Sequence, residues 1–212
     1  MIVIIDYGMG NLHSVSKAIE RLGYSYQITD APEVIQSAEG VILPGVGAFG
    51  DAMKQLQETG LVSVIEDVAE SNKPLLGICL GMQLLFTGSD EGGYHKGLQI
   101  LEGHVRRLPG VSQTGERYKV PHMGWNELRV SNPAHPVLNG LDGGYTYFVH
   151  SFYVENMNRE DLIAYADYYE RVPAIVGRRN VVGMQFHPEK SGQTGMKLLQ
   201  NFCEQCKGVK GS

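Results

Sequence analysis

Residues 73–86 read Lys-Pro-Leu-Leu-Gly-Ile-Cys-Leu-Gly-Met-Gln-Leu-Leu-Phe. The apolar run 73–78 has the pattern of a buried strand, a glycine-bracketed turn follows, and Gly81 to Phe86 begins a helix. The same unit of strand, tight turn and helix occurs upstream. Ile2-Val3-Ile4-Ile5 is a continuous β-branched run ending at Asp6, the pattern of a parallel strand covered on both faces. Asn11 can cap the next helix, whose Leu12, Val15, Ile19 and Leu22 repeat at three- and four-residue spacing, and Gly23 supplies its stop. Residues 24–29 and 41–43 read as the second and third strands, the latter closed by Pro44, and 51–70 as helical sequence interrupted near Gly60. This alternation predicts a single α/β domain over residues 1–212, with a mixed, mostly parallel central sheet flanked by helices and ligands at the carboxyl ends of its strands. From about Leu98 the rhythm changes to strand-like pieces at 145–155, 161–166, 174–177 and 181–186, the last two around Arg178-Arg179-Asn180, and a helix over 193–207 closes the chain.

Composition narrows the function classes. The chain has 212 residues, 42% hydrophobic and 19% charged, with a formal net charge of −5 from 18 Lys plus Arg against 23 Asp plus Glu. A globular chain of that kind offers no electrostatic footprint for a nucleic acid or an anionic membrane. Three cysteines are too few for a secreted disulfide scaffold, and no stretch reaches the ~18 apolar residues of a membrane span, so a cytoplasmic setting is expected. The 27 glycines are nearly twice the usual share of about 7%, which calls for many tight turns or close backbone approaches.

The chemistry centres on Gly77-Ile78-Cys79-Leu80-Gly81, which has the context of the G-x-S-x-G nucleophile elbow with Cys in place of Ser. A sharp strand-to-helix turn brings neighbouring backbone too close for side chains at the two glycines and leaves the central residue projecting. At a helix start, unpaired amides favour a thiolate over a thiol of pKa about 8.5. Taken alone, Cys79 also fits a small buried hydrophobe in a glycine-rich loop. A thiol nucleophile needs a base and a group that orients the base. His187 follows the apolar strand 181–186 and Glu189 stands two residues on, where extended backbone stiffened by Pro188 points both side chains the same way. His187 by itself fits a satisfied structural histidine, but with Glu189 and the elbow it reads as base and orienter. Pro44-Gly45-Val46-Gly47, at the end of a strand expected beside that of Cys79, can aim amides at a developing oxyanion together with the Leu80 amide.

Two rival patterns compete for the same residues. Gly45-Val46-Gly47-Ala48-Phe49-Gly50 matches G-x-G-x-x-G after a strand, but the acidic residue that a dinucleotide site needs about 20 positions on is represented only by Glu66, Asp67 and Glu70 in helical sequence. His187-Pro188-Glu189 followed by Cys203 and Cys206 outlines a zinc deaminase signature. Phe202 rather than Pro precedes the first of those cysteines, and Leu199, Phe202, Cys203 and Cys206 form a helical apolar stripe, so packing is the simpler role for both thiols.

Taken together, Gly-Ile-Cys-Leu-Gly-Met-Gln at 77–83, Pro-Gly-Val-Gly at 44–47 and Phe-His-Pro-Glu at 186–189 resemble the class I, or triad, glutamine amidotransferases. Ile-Asp-Tyr-Gly-Met-Gly-Asn-Leu at 5–12, Pro-His-Met-Gly-Trp-Asn at 121–126, Tyr-Phe-Val-His-Ser at 147–151 and Gln-Phe-His-Pro-Glu-Lys-Ser at 185–191 are similar, more narrowly, to the glutaminase subunits of imidazole glycerol phosphate synthases. The resemblance runs from Met1 to the last helix. It implies cleavage of L-glutamine to glutamate and ammonia, with Cys79 as nucleophile, His187 as acid and base, and Glu189 holding the His187 tautomer. It further implies oxyanion amides from Val46 and Leu80 after a peptide reorientation in the Pro-Gly-Val-Gly segment, and a glutamine pocket formed by Gly45, Gly47, Gln83, His150, Ser151 and Phe152. Phe152 stands where the family often has Tyr, which puts any hydroxyl role there in doubt.

No cofactor or metal is called for. A single domain of this size leaves no room for an ammonia acceptor, so the resemblance implies a heterodimer with a separate (β/α)₈ barrel cyclase subunit. That partner would convert a phosphoribosyl-formimino carboxamide ribonucleotide to imidazole glycerol phosphate and an aminoimidazole carboxamide ribonucleotide in histidine biosynthesis. Asn11, Met123, Trp125, Tyr147 and Lys190 match positions on the subunit face, although Trp125 also fits a core position. A paralogous amidotransferase subunit feeding another synthase, the zinc deaminase, and a scaffold with a vestigial triad remain as alternatives.

Overall fold

A computed structural model describes residues 1–208; the last four residues of the expected domain lie outside the described residues. A nine-stranded mixed sheet forms its centre. Five strands run parallel, in the spatial order β2 (Tyr26–Thr29), β1 (Ile2–Ile5), β3 (Gly40–Leu43), β4 (Leu75–Ile78) and β13 (Val181–Met184). Beyond β13 the sheet continues antiparallel through β12 (Glu170–Arg178), β11 (Leu162–Tyr168), β8 (His122–Val130) and the edge strand β9 (Gly144–His150).

The parallel strands are unbroken apolar runs because helices cover both faces. Ile2 and Ile4 of β1 pack with α1 (Leu12–Arg21) and α6 (Gly192–Lys207), whereas Val3 and Ile5 join the core beneath α3 (Phe49–Glu58) and α4 (Leu61–Glu70). Asn11 caps α1, its side chain accepting from the Ser14 amide at 3.4 Å. The interruption expected near Gly60 is a left-handed residue, φ 71°, that separates α3 from α4.

Three features depart from the expected element map. A six-residue helix, α2 (Pro32–Ser37), follows β2. The segment read as one strand over 145–155 turns at Ser151 from β9 into β10 (Phe152–Glu155), which belongs to a separate four-stranded sheet with β7 (His104–Arg107), β5 (Gly88–Ser89) and β6 (His95–Lys96). Strand β8 was not signalled at all: its inward residues include His122 and Asn126, and its outward ones Met123 and Trp125, the reverse of the usual polar alternation.

Candidate active site

Cys79 stands at the carboxyl end of β4, flanked by the ends of β3 and β13. Its backbone is left-handed, φ 55°, and its amide donates to the Met184 carbonyl at 2.8 Å. The two bracketing glycines permit this turn: a Cβ on Gly77 would lie 2.7 Å from the Gly81 carbonyl oxygen, and one on Gly81 would overlap the Leu43 carbonyl. The helix that opens here, α5 (Leu80–Leu84), has only five residues, so its dipole contributes less than the longer helix expected from sequence.

His187 lies three residues beyond the end of β13, and its amide donates to the Tyr147 carbonyl at 3.0 Å, which ties it to the edge strand β9. Its Nδ1 lies 2.8 Å from Glu189 Oε1, and its ring shares the lining of one cavity with Cys79. The expected extended backbone holds only for His187 itself; Pro188–Lys190 form a 3₁₀ turn, yet the His–Glu contact forms as the sequence suggested. Burial opposes a charged ring, but the attraction of Cys79 and Glu189 outweighs it and pushes His187 up to about 9.

Cys79 and His187 open into a cavity of about 430 Å³ whose lining includes Val46, Gly47, Leu80, Gln83, His150, Ser151 and Phe152. Every residue expected at the site is there except Gly45, which lies behind it, and Glu189, which backs His187. Gln83 Nε2 donates to the Phe152 carbonyl and to Gln185 Oε1, both at 3.0 Å, which turns Gln185 Nε2 toward Cys79 Sγ at 3.9 Å. A cavity of similar volume, about 440 Å³, lies at the amino ends of the strands among Glu70, Gln99, Arg178 and Arg179, with no nucleophile among the described residues of its lining.

The Leu80 amide is already engaged, since it donates to the Gly45 carbonyl at 3.3 Å. Tyr7, buried beneath, donates its hydroxyl to the Pro44 carbonyl at 2.8 Å and so holds the start of the same segment.

Glu91, Pro121 and Val149 also line the cavity and were missed, as was Gln185. Gln185 had a signal, being two residues before His187 on an extended segment. Glu91 had none, because it reaches the site from the turn between β5 and β6, where its Oε2 accepts from the Phe49 amide at the start of α3.

Near the cavity, β8 and β9 present an apolar strip to solvent. Trp125 is 57% exposed and Met123 61%, which excludes a core role for Trp125. Trp125 pairs across the ribbon with Tyr147, their rings 6.1 Å apart, and Tyr145 adds an exposed aromatic not anticipated from sequence. Asn11 begins α1, which packs against the turn carrying Lys190, and that turn also packs against β9.

Neither rival pattern is assembled. Glu66, Asp67 and Glu70 lie on exposed faces of α4 rather than at a strand end. Cys203 and Cys206 are buried on α6, where burial pushes both thiols up, Cys206 to about 12. A Cβ on Gly40, at the amino end of β3, would collide with Cys206, whereas His187 lies at the opposite ends of the strands, so the two cannot share a zinc ion.

The family model described as glutamine amidotransferase class-I matches residues 3–206. The chain is 56% identical over 211 residues to the imidazole glycerol phosphate synthase subunit HisH of Halalkalibacterium halodurans, covering 99% of each chain. It is 53% identical over 202 residues to the HisH subunit of Bacillus subtilis, covering 95% of each. Among solved structures, one titled glutamine amidotransferase superposes with a TM-score of 0.76 at 20% identity, covering 98% of this chain and all of that one. PurLQS from Thermotoga maritima superposes with a TM-score of 0.70 at 21% identity, covering 96% and 97%. These two likenesses concern the fold.

Proposed function

The chain belongs to the class I glutamine amidotransferases and, within them, to the HisH subunits of imidazole glycerol phosphate synthase; from that membership and the geometry of the site we propose that it hydrolyses L-glutamine and passes the ammonia to a (β/α)₈ barrel cyclase subunit. The observation that carries the reading is the His187 ring, held by Glu189 at 2.8 Å and lining, together with Cys79, one cavity sized for an amino acid.

Cys79 Sγ attacks the side-chain carbonyl carbon of glutamine, and the carbonyl electrons move to oxygen. Collapse of that intermediate expels ammonia, which leaves with a proton from the His187 imidazolium, and a γ-glutamyl thioester remains. Water, deprotonated by neutral His187, then attacks the thioester and releases glutamate and the Cys79 thiol. The balance is glutamine plus water to glutamate plus ammonia. Glu189 keeps Nδ1 of His187 protonated so that the other ring nitrogen serves the sulfur. Glu91, the one carboxylate among the described residues of the lining, is suited to the substrate ammonium.

Stabilising the oxyanion requires the Leu80 amide, from which the Gly45 carbonyl must withdraw. Rotation of the Gly45–Val46 peptide would remove that carbonyl and bring the Val46 amide round in its place, a motion that glycine on either side of Val46 permits. Docking of the cyclase on Met123, Trp125, Tyr147, Asn11 and Lys190 would act close to this segment. A heterodimer working in the cytoplasm fits this reading, and among the described residues no helix is long and apolar enough to cross a membrane.

Glutamate release and acceptor amination, measured on the complex with Cys79→Ala, test the division of labour. Glutamine-dependent turnover is expected to vanish while turnover on free ammonia persists; loss of both refutes it, and co-purification with a different synthase would instead assign the chain to another amidation.

A further inference from the structure

A chain of hydrogen bonds crosses the core from β8 to the cavity wall, and its geometry allows only one arrangement of protons. At the outer end, the Asn126 side-chain oxygen accepts from the Glu127 amide at 2.8 Å and its nitrogen donates to the Asp167 carbonyl at 2.9 Å. That nitrogen also lies 3.2 Å from His122 Nε2, which must therefore accept, and the neutral His122 ring carries its proton on Nδ1. Nδ1 lies 2.9 Å from His150 Nε2, which accepts in turn. His150 then has its proton on Nδ1, 2.8 Å from the Phe152 carbonyl, an atom that only accepts. Starting from Phe152 and working outward gives the same tautomers, so the two ends of the chain agree.

Both rings are buried, and burial holds both neutral: it lowers His122 to about 3, helped by His150, and His150 to about 4. The His122 ring is clamped between Phe148 and Tyr168, with centroids 4.5 and 4.0 Å away and planes within 20° of parallel. The Phe152 carbonyl is also the acceptor for Gln83, which orients Gln185 toward the Cys79 sulfur.

We propose that His122, held by Asn126, is a positioning residue for glutamine cleavage: it fixes His150 in the one tautomer that donates to the Phe152 carbonyl, and so holds the stretch of cavity wall to which Gln83, the residue that turns Gln185 toward Cys79, is bonded. This role rests on the glutaminase reading. Without the His122 donor, Nε2 of His150 is a buried acceptor with no partner, and the ring is free to take the tautomer that sets a bare nitrogen against the Phe152 carbonyl. The wall that receives glutamine then shifts, so the cost falls on substrate binding first.

Three variants of the full chain, assayed with the cyclase subunit for glutamate release, separate this role from simple packing. His122→Phe keeps the aromatic stack and removes the donor; KM for glutamine is expected to rise about tenfold, with kcat changed less than about threefold. His122→Asn loses the stack but places an amide nitrogen where Nδ1 stood, and is expected to bring KM back to within about twofold of the unsubstituted protein. An unchanged KM in His122→Phe, or equal impairment of both variants, overturns the proposal. If His122→Phe does not fold, Asn126→Leu decides: a raised KM upholds the role and an unchanged one overturns it. Absence of glutamine turnover in the unsubstituted complex would refute the glutaminase reading itself, a result separable from any of these.

Discussion

Cys79, His187 and Glu189 come from two strand ends 108 residues apart in the chain, yet the first and the last both act on the His187 ring. Because His187 is raised to about 9, its imidazolium persists through neutral pH and is lost as the pH rises through that value. The alkaline limb of kcat/KM for glutamine is therefore expected near pH 9. In Glu189→Gln the hydrogen bond survives without the charge, so the limb should move about one unit lower and kcat should fall at least about tenfold; a pH–rate profile of the two proteins checks both. The same shift is a stability statement. A group raised from 6.5 in the unfolded chain stabilises the fold fully below that pH and loses its contribution as the pH rises through about 9. Thermal melts from pH 6 to pH 10 should show a decline that His187→Asn flattens.

At the scale of elements, the elbow and the β8–β9 ribbon make separable predictions. Gly81→Ala puts a methyl group into the Leu43 carbonyl, which neither flanking strand can yield without losing its pairing; a loss of more than about 3 kcal/mol, seen as failure to fold or a collapsed melting temperature, is expected. Trp125→Ala should leave the melt of the isolated chain nearly unchanged and weaken cyclase binding by roughly thirtyfold or more in titration calorimetry. The elbow was legible in sequence because steric necessity fixes glycine at two positions around one nucleophile. The parallel strands were legible because helices on both faces demand unbroken apolar runs such as Ile2 to Ile5. The ribbon was not: β8 buries His122 and exposes Trp125, so its periodicity belongs to a polar network and an exposed apolar strip rather than to a core. The break at Ser151 was equally hidden, since no glycine or proline marks the point where the chain passes from one sheet to the other. Glu91 was invisible for a different reason, being brought to the cavity by a turn of the smaller sheet with no local pattern of its own.

For the whole molecule, the cavity lined by Cys79 and His187 lies at one end of the sheet, together with the strip expected to meet the cyclase. Strand β9 belongs to both: Tyr147 faces outward beside Trp125, and its carbonyl holds the His187 amide. The Gly45 carbonyl has a kinetic meaning in that setting. Under the proposed mechanism it would behave as an inhibitor tethered to the enzyme, whose local concentration no dilution lowers. Because it sits on the amide proposed for the oxyanion rather than in the space proposed for the substrate, more glutamine would not displace it. Saturating the isolated chain should therefore leave turnover slow, and assembly with the cyclase should raise kcat far more than it lowers KM, as steady-state assays with and without the partner would show. A cell holding excess of this subunit would thus keep its glutamine nitrogen instead of leaking it as ammonia.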